Sequence, residues 1–407
     1  MGNNKILMLL CTTIILTGCW DSEEIQDRGY ILGIAIDKAQ PIPRGHEEKE
    51  NYLSERELEQ MPLQKGEPKY AYTLQLPILA NIKNKPSGAG GGGDGGAGKE
   101  AVWDATMRGN SFMEANREFS TRLEFPPYYE HLQAIIMNED VAKKGLSHVL
   151  DIFLRDHEMR RRTRLVVTPQ EAKKILDVKP QIADFSSFYL AELPHNADRT
   201  SRLLHITDLG AVAESIHQNS DFVLPRVIAT EDEIKDAGCG VFKGDKLVGW
   251  LGEVDTIYLK WIRDAVKGGV LVLSMPNEEG MVTLEVKKAK TKKTAIIQED
   301  TIKIKIDVNV SFDLAERMDA HHGSALDETF IKKVENIAET ELKKRMISTI
   351  QYVQKNFGAD VFHFNVPIKK KNYRYWEEIQ DQWHEIFPQI ETLVNVKAEI
   401  HSIGTMK

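Results

Sequence analysis

Apolar residues crowd the very start of the chain. Behind the cation Lys5, residues 6–17 carry only aliphatic, sulfur-bearing or hydroxyl side chains, and Gly18 and Cys19 follow. The run is well short of the roughly 20 residues a helix needs to cross hydrocarbon. A basic start, a brief apolar core and a small exit residue describe a secretion signal over 1–18 that is removed on export.

Beyond it the periodicity changes from stretch to stretch. Residues 30–36 read as a buried strand, and residues 70–76 alternate as its neighbour. From Met107 the spacing of Phe112, Ala115, Phe119 and Leu123 predicts a helix. A strand at 132–137, a helix over 141–154, a strand at 164–167 and a helix over 170–176, opened by Pro169, follow. This alternation predicts an α/β layer in a first domain, 19–195. A polar linker containing Pro194 leads to a middle domain, 200–268. There we expect a helix over 208–217, strands at 222–228 and 239–242, a tight turn at 243–246 into a strand ending at Leu251, and a helix over 255–266. The last domain, 269–407, is strand-rich. Residues 302–310 alternate strictly between aliphatic and polar, so that sheet is covered on one side only. Its cover is the helix over 327–356, whose Val334, Ile337, Leu342, Met346, Ile350 and Val353 form a stripe. A helix over 375–387 and a strand over 394–403 close the chain. The expected class is α+β: three domains of mixed sheets with packed helices, the first α/β-like, the last an antiparallel sheet under a long helix.

Composition changes this picture little. Net charge is −8 and the apolar and charged fractions are 42% and 28%, those of an ordinary folded protein without a general phosphate-binding surface. Nucleic acid is therefore not an expected partner. Residues 85–98 are glycine at eight of fourteen positions, with little to bury and much backbone freedom to lose, and predict a disordered loop. Within it Gly93, Gly98 and Lys99 have the spacing of a phosphate loop. Glu100 stands where a magnesium-binding hydroxyl belongs and no strand precedes the run, so we expect no nucleotide site. Of the three cysteines, Cys11 leaves with the signal and Cys19 has its own chemistry, which leaves Cys239 without a disulfide partner. It reads as a small buried hydrophobe.

Two polar clusters remain. Asp156, His157 and Glu158 precede Arg160, Arg161 and Arg162. Adjacent helix positions point apart and cannot jointly grip one atom, so the cluster reads as structure or a docking surface. His321 and His322 lack the third and fourth ligands a metal needs. No nucleophile elbow, HExxH, paired CxxC or dinucleotide fingerprint is present. We expect no catalytic residue, no cofactor and no metal.

The segment Leu16-Thr17-Gly18-Cys19 resembles a bacterial lipobox, in which cleavage falls before the cysteine and its thiol receives a diacylglyceryl group. Small residues let the backbone enter a narrow protease cleft, and the thiol is the strong nucleophile needed for a thioether. One acyl chain binds marginally, but two anchor stably. Cys19 is the expected lipid-attachment site.

Several blocks then resemble one family, the spore germination C proteins, lipoprotein subunits of nutrient germinant receptors. They are Gly18-Cys-Trp-Asp-Ser-Glu-Glu-Ile25 with Leu32-Gly-Ile-Ala-Ile-Asp37; His131 to Met137 with Leu154-Arg-Asp-His-Glu-Met-Arg160; Gly240 to Leu251; and Asp360-Val-Phe-His-Phe364 with Trp376, Trp383 and Phe387. The resemblance implies a three-domain, non-catalytic body on the outer surface of the spore inner membrane, beside integral membrane A and B subunits. The glycine-rich insertion departs from the family pattern. A different reading, kept open, is an extracytoplasmic solute-binding lipoprotein serving a transporter, whose cleft would close on a small ligand.

Overall fold

The structure, a computed structural model, describes residues 28–40, 69–78, 81, 101–275, 280–298, 301–319 and 328–402. The leader with Cys19, the glycine-rich segment, His321 and His322, and the end beyond 402 lie outside the described residues.

The chain enters through β1 (Gly29–Tyr30) and β2 (Gly33–Lys38), then β3 (Tyr70–Pro77) and β4 (Val102–Gly109). Next come α1 (Phe112–Phe119), β5 (Pro127–Tyr128), β6 (Ala134–Asn138), α2 (Glu139–Lys144), α3 (Ser147–Arg155), β7 (Arg164–Thr168), α4 (Ala172–Asp177), α5 (Ser186–Glu192) and α6 (Leu209–His217). Strands β8 (Phe222–Ala229), β9 (Ile234–Lys243) and β10 (Lys246–Leu251) lead to α7 (Glu253–Arg263). All but β1 and β5 of these strands join one sheet in the order β10-β9-β8-β7-β6-β2-β3-β4. Its middle strands β2, β6 and β7 run parallel, and its flanks are antiparallel. The seam between β7 and β8 is narrow, with Val167 paired to Arg226.

Strand β4 departs from expectation, because a helix was predicted from Met107. Ala105, Met107 and Gly109 are buried while Asp104, Thr106 and Arg108 between them are only partly so, a period of two that pairs β4 with β3. The helix starts only at Phe112, where the Ser111 hydroxyl accepts the Glu114 N–H at 3.2 Å and Glu114 accepts the Asn110 N–H at 2.7 Å. The single helix expected over 141–154 is two, broken at Gly145, whose φ is 115°. A Cβ there would meet Asp245 Oδ2 at 2.8 Å. That carboxylate accepts the Ser147 N–H and hydroxyl, so the hairpin turn caps α3 from outside. Within the turn Gly244 has φ of 58° and Asp245 keeps a negative φ, the pattern of a type II′ hairpin.

The last part of the chain adds β11 (Val270–Ser274), β12 (Gly280–Gln298), β13 (Thr301–Asp319), α8 (Glu328–Asn356), α9 (Asn365–Lys371), α10 (Tyr373–Ile379), α11 (Trp383–Ile386) and β14 (Glu391–Ser402). The helix expected over 375–387 alternates α with 3₁₀ turns, at 380–382 and 387–389. This keeps Trp376, Trp383 and Phe387 together on the core. The sheet order is β11-β12-β13-β14, antiparallel through β13 as expected. Its last pair corrects the expectation: β14 runs parallel to β13. Between the two lies α8, and a helical crossover carries the chain back to the end where β13 began, which a hairpin cannot do.

On α8, Val334, Ala338, Leu342, Met346, Ile350 and Val353 are fully buried in the one core that also holds Ile304, Ile306, Val308 and Phe312 of β13. Each large aliphatic side chain contributes about 1.5–3 kcal/mol by burial, which outweighs the helix's modest intrinsic propensity. The helix also guards the open edge of β14: Glu339 accepts the Ala398 N–H at 3.0 Å and Glu335 the Ile400 N–H at 2.9 Å. Filling those donors blunts an edge that another strand could pair with.

The segment 200–268 links the two cores. Phe222, Leu224, Phe242 and Leu247 point into the core of the first sheet, whereas Val223, Cys239, Val241, Leu251, Tyr258 and Trp261 pack with α8 and the last sheet. Strands buried on both faces explain the near-continuous apolar run from 237 to 242.

Candidate functional site

Three chain segments converge where the parallel strands begin: the approach to β2, the approach to β6 and the loop into β7. Arg28 lays its guanidinium 4.2 Å from the centroid of the Tyr128 ring. Tyr30 meets Tyr128 and His131 edge-on, at 5.8 and 5.1 Å. Glu130 lies 3.5 Å from Arg160 and bonds the Tyr128 hydroxyl, which holds its carboxyl below the usual range. The backbone sets this up: Gly29 donates to Pro126 O, and Ile31 to Tyr128 O, so β1 is clamped onto β5.

The cluster singled out in the sequence lies at this same end, and its parts divide. Asp156 accepts the Glu158 N–H at 2.9 Å, and Glu158 accepts the Tyr129 N–H at 3.2 Å. Both carboxylates face the backbone and organise the loop. Arg155 pairs with Asp151 one turn back, and His157 stands out in solvent. Arg161 and Arg162 are exposed, and neither meets a carboxylate among the described residues. What reads as an acid-base cluster is a loop with its acids turned in and two cations turned out.

A second polar arrangement joins the two halves of the molecule, and the sequence did not announce it. Asp221, just before β8, is buried; its carboxylate accepts the Asp360 N–H at 2.7 Å and the Gly244 N–H at 2.8 Å. His384 Nε2 lies 3.1 and 3.2 Å from its two oxygens. Asp360 in turn accepts N–H groups of Phe364 and Asn365 and the Trp383 indole N–H, at 2.9, 3.0 and 3.2 Å. Burial pushes the Asp360 carboxyl up to about 7 in spite of these donors. Beneath it, Arg263 bonds Val361 O and Lys293 bonds Phe362 O, and the same two cations hold the His363 imidazole below its ordinary value. A cleft of about 330 Å³ opens beside this clasp, bordered by Glu214, Gln218, Asn219, His363, Asn365 and Lys369. The stretch from Asp360 to Phe364 was visible in the sequence as a family block, but its partner Asp221 carried no signal.

Cys239 is fully buried, 3.5 Å from the Thr256 hydroxyl, and burial pushes its thiol up to about 12. A thiol so held is protonated and unreactive. Among the described residues no three His, Cys, Asp or Glu side chains converge as a metal would require, and no helix is long and apolar enough to cross a membrane.

Burial also lifts Asp236 to about 7, against the bond it accepts from the Gly238 N–H, and lifts Asp104 to a similar value. Each carboxyl holds its proton more tightly folded than unfolded. Their contribution to stability is therefore gained as pH falls through about 7 toward the unfolded value near 4, and is lost above it. Urea midpoints should be higher at about pH 5.5 than at about pH 8, and Asp236→Asn should shrink that difference.

A family model described as Spore germination protein N-terminal domain matches residues 21–229, and one described as Spore germination B3/GerAC like, C-terminal, matches residues 237–404. Spore germination protein YndF of Bacillus subtilis (strain 168) is 28% identical, over 98% of this chain and 97% of that protein. Spore germination protein KC of the same organism is 25% identical, over 97% and 94%. Spore germination protein A3 is 22% identical, over 98% of each. The crystal structure of the GerBC protein superposes with a TM-score of 0.56, covering 81% of this chain and 94% of that one at 19% identity, a likeness of fold.

Proposed function

Since the chain belongs to the GerAC-like family of spore germination proteins, both of whose domain models it matches in order, we propose that it is the lipid-anchored C subunit of a nutrient germinant receptor. One observation carries the reading: the two matches together run from 21 to 404 and begin two residues after the lipobox cysteine. In this reading Cys19 holds the body to the outer face of the spore inner membrane, beside integral membrane A and B subunits. The body acts without catalysis. Nutrient binding to the complex shifts a population of states, and this subunit supports or relays that shift through protein contacts.

A solute-binding lipoprotein would close a cleft between two similar lobes. The two halves here are unlike, an eight-stranded mixed sheet and a four-stranded sheet under one long helix. A tagged copy expressed in sporulating cells and solubilised in mild detergent should co-purify with two integral membrane proteins, and its deletion should abolish germination by one class of nutrient. Recovery of the chain alone, with a large thermal shift from a single sugar or amino acid, would favour the binding protein instead.

A further inference from the structure

The geometry points to the arginine-bearing end of the first sheet as a surface that lies on the bilayer, where Arg161 and Arg162 take the phosphodiester oxygens of anionic phospholipids. This rests on the anchored reading and adds to it an orientation and a lipid preference.

Two observations bring the end and the bilayer together. Cys19 and Arg28 are nine residues apart, so even a fully extended chain spans at most about 30 Å between lipid and fold. The first described contacts of the chain, β1 with β5 and Arg28 with Tyr128, are at this end. A tether that short raises the local concentration of the surface nearest its attachment far above that of any other face. The second observation is charge. Glu130, Asp156 and Glu158 are engaged by Arg160, Tyr128 and backbone N–H groups, leaving Arg161 and Arg162 exposed and uncompensated among the described residues. Guanidinium groups bind phosphate oxygens in a bidentate way, and each cation near an anionic leaflet strengthens attachment several-fold. At the same end Tyr30 and Tyr128, half-buried, present apolar rings with polar tips, the side-chain type that sits at headgroup depth.

The test uses the chain from residue 19 onward with Cys19→Ser, so that no lipid is attached, sedimented with vesicles of phosphatidylcholine alone or with phosphatidylglycerol added. Binding should require phosphatidylglycerol and be reversed by salt. R161E together with R162E should weaken it by about thirty-fold or more. The conservative pair R161K and R162K should retain most of it, which guards against misfolding as the cause. K288E with K292E, cations on the outer face of the last sheet, should leave it unchanged. Equal binding to phosphatidylcholine, indifference to the arginine reversals, or a loss confined to the lysine pair would overturn the assignment. Because the chain tested carries no lipid, its failure is separable from failure of the anchor, which is read by mass spectrometry of the native N-terminus.

Discussion

Replacing Cys19 by alanine should move the protein from the membrane fraction to the soluble fraction after a salt wash, and spores carrying it should respond poorly to nutrient. The expected size follows from hydrocarbon burial at about 0.8 kcal/mol per methylene, which makes two acyl chains a stable anchor and none at all no anchor. Arginines at a headgroup surface contribute only about 1 kcal/mol each and are screened within about 8 Å at physiological salt, so they cannot replace it. A second variant separates lost lipid from a retained leader: an ordinary cleavable secretion signal replaces residues 1–18 and Cys19→Ser follows it. Both should give released, folded protein. If the variant with the ordinary cleavable signal stays on washed membranes with nutrient response intact, the anchoring claim fails, and with it the reason for placing the arginine-bearing end against lipid.

The features legible in the sequence were those that repeat locally. The alternation at 302–310 and the stripe on α8 state a buried face with every second or every third to fourth residue, and both elements formed where the pattern placed them. Strand β4 was missed because its alternation, Ala105 and Met107 among Asp104, Thr106 and Arg108, is brief and abuts a stronger helical spacing. The break between α2 and α3 was invisible for a different reason. Gly145 is dictated by Asp245, a carboxylate a hundred residues later that the hairpin turn delivers. The parallel pairing of β14 likewise depends on the path of α8, not on any residue of the strand. At the arginine-bearing end the side chains were legible but not their directions, because the acids find backbone N–H groups that only the folded loop presents.

The carboxylate that joins the two halves is the sharpest case of a feature no local pattern carries, and removing it should cost the most stability. Asp221 is separated by 139 residues from Asp360 and by 163 from His384, yet its two oxygens answer both, together with the Gly244 N–H. Asp221→Ala would leave the Asp360 and Gly244 N–H groups facing a void, with Asp360 itself already buried and dependent on its remaining donors. Breaking a buried charged partner in this way costs about 3–5 kcal/mol, a large part of what such a fold has in reserve. Asp221→Asn keeps the shape and one acceptor while turning an amide donor toward donors, and should cost about 1–3 kcal/mol. His384 is half-exposed, so His384→Ala should cost less than either. Urea unfolding followed through Trp383, which shares Asp360 with the clasp, reads all three. A loss below about 1 kcal/mol for Asp221→Ala would mean that the shared apolar wall of β8 to β10 holds the halves together by itself, and that these carboxylates fix their register instead.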